Sequence, residues 1–154
     1  MKEIAKITSF TVDHTKMMPG IYVSRIDGDI TTYDLRFRRP NAGDYISNLA
    51  MHSLEHMFAT YVRNSEIGGD VIYFGPMGCQ TGFYLLVRGL DNETVLRVTK
   101  DVLARICAHE GEMFGQSEVE CGNYRNLSVE AAKEEAALFA KVLDTSDNTF
   151  EYRK

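Results

Sequence analysis

The spacing of apolar positions changes several times along the chain, and each change predicts an element. Residues 4–12 alternate apolar and polar side chains well enough for a strand, closed by Asp13-His14 ahead of the irregular Lys16-Met17-Met18-Pro19-Gly20. Residues 21–26 and 30–37 are β-rich runs separated by Asp27-Gly28-Asp29, which predicts a hairpin. The pattern then switches to a helical period: Ala50, Leu54, Met57, Phe58 and Tyr61 recur at threes and fours, behind a Ser47 or Asn48 cap and ahead of Gly68-Gly69. A short buried strand over 71–74 and another over 83–87 flank a glycine-rich turn, residues 75–82. Asp91 or Asn92 caps a second helix running through Ala108, with Val95, Val98, Val102 and Ile106 as its buried stripe and Cys107 beside it in the core. After a polar loop over 110–118, a third helix runs from a Ser128 cap to about Leu143, and a loose tail follows from Asp144.

A hairpin near the start and strands set between helices predict an α+β fold, a mostly antiparallel sheet packed against helices in a sandwich. With 154 residues the chain is expected to form a single domain, 1–154, large enough to bury a core without staples. Hydrophobic residues at 44% and charged residues at 25% are ordinary for a globular protein, and no apolar run approaches the roughly 20 residues of a membrane span. A net charge of -5 argues against a nucleic-acid partner. The start, with Lys2, Glu3 and Lys6, lacks the pattern of a secretory signal, so a cytoplasmic location is expected. Three cysteines, Cys79, Cys107 and Cys121, are too few for a disulfide framework and read as ligand, nucleophile or core.

Chemistry concentrates in His52-Ser53-Leu54-Glu55-His56, the HxxEH order of an inverted metalloenzyme motif. Residues four apart on a helix lie one above the other, so both imidazoles can reach one ion while Glu55 sits about 60° round the same cylinder. The apolar stripe lies nearly opposite, so the core is not what these histidines serve. A catalytic centre usually takes three protein ligands, and Cys121 is the best third, a soft thiolate in a loop that Gly122 lets turn sharply. Glu55 is where a general base belongs. Cys79, in the glycine-rich turn, is either an exposed reactive thiol or a buried one. Arg36 and Arg38 share a strand face, which reads as solvated.

Several chemistries fit this set. An inverted-motif peptidase would use Glu55 on metal-activated water, with Glu130 or Glu134 as third ligand. A peptide deformylase shares two histidines and a cysteine, but its HExxH order differs. A Lewis acid with two proton-transfer groups, Glu55 and Cys79, suits proton abstraction next to a carbonyl. A metal-holding protein without turnover is a fourth reading.

Five blocks in order carry a resemblance: Ser9-Phe10-Thr11-Val12-Asp13-His14; Asp34-Leu35-Arg36-Phe37 with Pro40-Asn41; His52 to His56; Pro76-Met77-Gly78-Cys79-Gln80-Thr81-Gly82-Phe83-Tyr84; and Cys121-Gly122. Together they resemble the S-ribosylhomocysteine lyase family, bacterial enzymes that make the autoinducer-2 precursor used in quorum sensing and recycle a by-product of methylation. The resemblance implies that His52, His56 and Cys121 hold one divalent metal per subunit, Fe(II) in the native family and often zinc or cobalt in prepared protein. It makes Glu55 and Cys79 the acid/base pair, and matches Ser9, His14, Arg36 and Gly122 to substrate-binding or pocket positions. It further implies a homodimer with active sites at the interface, Ser9 and His14 reaching the site from the partner chain, and turns Arg36 from a solvated residue into a functional one. The implied reaction on S-ribosylhomocysteine is aldose-ketose isomerisation followed by β-elimination, giving homocysteine and 4,5-dihydroxy-2,3-pentanedione. The chain departs from the family pattern at Phe74-Gly75, where Ile-Ser is common, at Tyr73, usually an acid, and at Arg38, often a cysteine.

Overall fold

In the computed structural model, which describes residues 3–154, the chain begins as irregular backbone. The strand expected over 4–12 is not formed. Alternation alone does not make a strand without an edge to pair with, and local hydrogen bonds win here: a 3₁₀ turn spans Thr8–Phe10, and a second, His14–Lys16, is capped by Asp13, whose Oδ1 accepts from the Thr15 amide at 3.0 Å.

The predicted hairpin follows as β1 (Gly20–Asp27) and β2 (Ile30–Arg36), paired antiparallel from Gly20 opposite Arg36 to Asp27 opposite Ile30. Gly28 takes φ 63° in the tight turn between them, a conformation costly for any residue with a Cβ. Strands β3 (Val71–Pro76) and β4 (Gly82–Arg88) complete a four-stranded, wholly antiparallel sheet in the order β1-β2-β4-β3. Gly82, opposite Arg36, fits where a Cβ would stand 2.4 Å from the Leu35 carbonyl oxygen, so only glycine lets β4 enter the sheet at this point.

Helix α1 (Asn48–Arg63) starts at a Ser47 cap that accepts from the Ala50 amide. It ends at Arg63, ahead of Gly68-Gly69 as expected, and Asn64 to Ile67 form a turn and Gly68–Asp70 a 3₁₀ turn into β3. Helices α2 (Asn92–Cys107, capped by Asp91) and α3 (Val129–Thr145, capped by Ser128) fall where the pattern placed them. α1 packs on β3, α3 on β1, and α2 against both helices. One core fills the space between these layers: Tyr33, Leu35, Phe83, Leu85 and Val87 from the sheet meet Leu54, Met57 and Phe58 of α1, Val98 and Val102 of α2 and Phe139 of α3. The fold is therefore α+β, with helices on one side of an antiparallel sheet. Cys107 is only partly buried and packs against the edge of that core.

The tail is packed, contrary to expectation. The Phe150 carbonyl accepts from the Val23 amide at 2.8 Å, its ring is buried against Tyr33, and Tyr152 stacks on Tyr22 with ring centres 5.1 Å apart. Aromatic area buried against the open edge and outer face of β1 outweighs the polar, helix-terminating composition of residues 144–149. Among the described residues no helix is long and apolar enough to cross a membrane.

Candidate functional site

His52 and His56 project from α1 on the side away from its buried stripe, as their spacing predicts, with ring centres 4.7 Å apart and nearly perpendicular. The loop before α3 brings Cys121 to them: its sulfur lies 3.4 Å from His52 Nε2 and 3.7 Å from His56 Nε2, and one ligand atom from each residue falls within 4.8 Å of the others. Among the described residues this is the one group of three or more potential ligands so close together; Glu130 and Glu134 are not in it.

What orients the imidazoles was not legible in the sequence. His52 Nδ1 lies 2.8 Å from the Asn126 carbonyl oxygen and His56 Nδ1 2.8 Å from that of Phe114. A carbonyl only accepts, so each Nδ1 carries its proton and donates, leaving both Nε2 lone pairs on the side of the Cys121 sulfur and available to ligate one ion. The Asn123 amide, 3.4 Å from the Cys121 sulfur, supplies a donor to a thiolate. Two imidazoles in the ligating tautomer and one hydrogen-bonded thiol fit a divalent metal with a further position for water or substrate. A loop carbonyl leaves no pattern in side-chain identity, so no sequence signal could have named Phe114 or Asn126.

Glu55 is half-buried and has no hydrogen-bond or ion-pair partner among the described residues. It lines a cleft of about 570 Å³ together with His52, Met51, Pro76, Gly78, Gln80 and Asn126. On its other side it shares a smaller cleft with His56, Phe114 and Tyr73. The Tyr73 hydroxyl lies over Gly75, only 2.0 Å from where a Cβ would be, so the two departures from the family pattern belong together: a side chain at 75 must displace the Tyr73 ring. The third departure, Arg38, is paired with the buried Glu135 of α3, and its Nε lies 3.3 Å from Asp44.

Cys79 is exposed at the turn between β3 and β4. That turn is held by Met77 N–H donating to Gly82 O and by Gln80, whose φ is 63° and whose side chain donates to the Ile46 carbonyl at 3.0 Å. A left-handed glutamine is uncommon and marks backbone the surroundings have fixed. Cys79 lines a cleft of about 380 Å³ with His14, Asn41, Tyr45 and Thr81, and Gln80 borders both this cleft and the one holding His52 and Glu55. Its sulfur is 3.0 Å from Thr81 Oγ1 and 3.9 Å from Arg36 Nη1.

Arg36 corrects the reading of a solvated strand face. It is 2% exposed and bound to the equally buried Asp34, donating from Nη2 at 2.6 Å and from Nε at 3.1 Å. Burial works against its charge, but the Asp34 carboxylate outweighs burial and leaves the guanidinium pKa above its ordinary value. Asp34 and Arg36 stand two apart with opposite charges on one strand face, a signal the sequence did carry. Ser9 lies in the first 3₁₀ turn, half-buried, and borders neither cleft; Gly122 is exposed beside Cys121.

A family model described as S-ribosylhomocysteinase (LuxS) matches residues 7–150. The chain belongs to the S-ribosylhomocysteinase family. Proteins named S-ribosylhomocysteine lyase are similar along almost the whole length: one from Desulfotalea psychrophila at 45% identity, over 90% of this chain and 92% of its own, and one from Borreliella burgdorferi at 41%, over the same shares. Another, from Phocaeicola vulgatus, is 40% identical over 94% of this chain and 95% of its own. S-ribosylhomocysteinase membership accounts for the five blocks together, which neither the peptidase nor the deformylase reading does.

Proposed function

We propose that this chain is a metal-dependent carbon-sulfur lyase acting on S-ribosylhomocysteine, and that His52, His56 and Cys121 hold its metal, with Fe(II) as the native ion and zinc or cobalt able to replace it. The observation that carries the reading is the ligand triad with its tautomers set, placed next to an unpartnered carboxylate, in a chain of this family. A divalent ion held there supplies Lewis acidity to the sugar oxygens, lowering the cost of negative charge next to the carbonyl.

The chain's own groups move the protons. Glu55, which lines the cleft and has no partner among the described residues, is suited to lift a proton from one sugar carbon while the Cys79 thiol gives one to the neighbouring carbon and the hydroxyl proton passes between the two oxygens. With Glu55 then protonated and Cys79 a thiolate, the two exchange roles in the second shift, so the carbonyl moves from C1 to C2 and then to C3. With the carbonyl at C3, loss of the C4 proton forms the new C=C bond as the C5–S bond breaks and homocysteine leaves as its thiolate. Tautomerisation of that enol leaves 4,5-dihydroxy-2,3-pentanedione. Arg36 brings a fixed positive charge to the Cys79 side of the site, and the backbone at Gly122, next to the ligand Cys121, is suited to border the substrate.

We further propose a homodimer with Ser9 and His14 serving the site across the interface. Its support is the outward display of apolar groups on the N-terminal segment, with Ile4 93%, Ile7 59% and Phe10 69% exposed. A cytoplasmic, reducing setting suits a site that needs the Cys79 and Cys121 thiols free.

The deciding experiment is a thiol-release assay with anaerobically prepared protein and S-ribosylhomocysteine, a thiol reagent reporting homocysteine. Release by wild type and its loss in Cys79→Ala is the expected result. No release from protein carrying stoichiometric metal as an intact dimer overturns the lyase reading.

A further inference from the structure

The C-terminal segment runs past residue 150, where the family model ends, yet it reaches the Cys79 side of the site through buried contacts. The Tyr152 hydroxyl donates to Asp34 Oδ2 at 2.8 Å. Asp34 is 1% exposed and grips Arg36 through both carboxylate oxygens, which engages Nε and one N–H of Nη2 and leaves both N–H groups of Nη1 for other partners. That nitrogen donates to Thr81 Oγ1 at 2.8 Å and lies 3.9 Å from the Cys79 sulfur, itself 3.0 Å from the same hydroxyl. A continuous line of polar contacts thus runs from the tail to the thiol.

We propose that Tyr152 is a positioning residue for Cys79, acting through Asp34 and Arg36. The two bonds between carboxylate and guanidinium fix their mutual geometry, and the pair is held at both ends, the guanidinium by Thr81 and the carboxylate by Tyr152. Its ring is clamped on Tyr22, and the Phe150 backbone is hydrogen-bonded to Val23, so the hydroxyl is a donor anchored to β1 while Asp34 and Arg36 belong to β2. Burial, and then the charge of Asp34, hold the phenol protonated well above the ordinary tyrosine range, so it remains a donor wherever the enzyme is folded. Only the effect on turnover rests on the lyase reading; the effect on the thiol does not.

The test is Tyr152→Phe, which keeps the ring on Tyr22 and deletes the hydroxyl alone. Iodoacetamide labelling of the metal-loaded protein at neutral pH, followed by peptide mapping, reads Cys79 separately from Cys107 and Cys121. Labelling of Cys79 is expected to slow by about 3- to 10-fold as the guanidinium loses its fixed place beside the sulfur, with metal content and melting temperature held near wild type. kcat is expected to fall by a similar factor, about 3- to 10-fold, with KM unchanged. Wild-type labelling of Cys79 overturns the proposal, and so does a lower kcat with labelling unchanged, because the effect then bypasses the thiol. Should wild type release no homocysteine, the lyase reading fails while the labelling comparison still decides the role of Tyr152.

Discussion

Two residues are asked to carry protons and three to hold a metal, and single substitutions separate these duties. Glu55 has no partner among the described residues and Cys79 lies outside the triad, so Glu55→Gln and Cys79→Ala are expected to retain metal while turnover falls by roughly 10²- to 10⁴-fold, the usual worth of a positioned acid or base. Metal analysis beside the thiol-release rate checks both halves; near-normal turnover removes that residue from the mechanism. Cys121→Ala is expected to lose the ion, since two imidazoles on one helix leave the coordination sphere half open, and metal content after gel filtration reads the outcome. Stoichiometric retention in Cys121→Ala would falsify the thiolate ligand. At this scale the pair His52 and His56 with Glu55 was readable because helical spacing fixes which side chains share a face. Cys121 was readable only as a chemical type, since 65 residues of chain separate it from His56. The carbonyls of Asn126 and Phe114 were not readable at all.

At the scale of elements, caps and one buried ion pair dominate what can be predicted. Each helix starts at a side chain that accepts from the amide three residues on: Ser47 for α1, Asp91 for α2 and Ser128 for α3. Ser47→Ala is expected to cost about 1 kcal/mol in denaturant unfolding, and it acts on the very turn that starts the metal-bearing helix. Glu135, 4% exposed on α3, neutralises Arg38 two residues past β2, so Glu135→Ala leaves a largely buried guanidinium with the exposed Asp44 as its remaining carboxylate neighbour among the described residues. The expected loss is about 3 kcal/mol, whereas the double change Arg38→Met with Glu135→Leu should cost far less, because no unpaired charge remains. Equal costs for the single and double variants would show that the pair contributes little. Caps and stripes follow from nearest-neighbour chemistry and were legible; the partner of Arg38 lies 97 residues away and was not.

For the molecule as a whole, alkaline pH is a probe of how the tail and sheet are joined. Burial, aided by Asp91, pushes the Tyr33 phenol up to about 12, and burial likewise raises Tyr22, Tyr84 and Tyr152 above the ordinary value. A tyrosine raised on folding stays protonated in the native state while the unfolded chain has begun to ionise. Stability is therefore whole below pH about 10 and falls steadily from there towards about 12 and beyond; urea midpoints across that range are the check, and a flat profile would contradict the burial of these phenols. If the proposed homodimer forms through the N-terminal segment, deleting residues 1–12 is expected to weaken it by removing Ile4, Ile7 and Phe10, with sedimentation at several concentrations as the measure. The sequence by itself determined the hairpin, the three helices and their buried faces and the HxxEH pair, because each depends on neighbours within a few residues. Only the tertiary structure decided that residues 4–12 pair with nothing, that the tail is anchored, that Arg36 is buried and that Cys79 borders a different cleft from Glu55. Those outcomes depend on which surfaces meet after long loops close, and no local pattern encodes a meeting between residues a hundred apart.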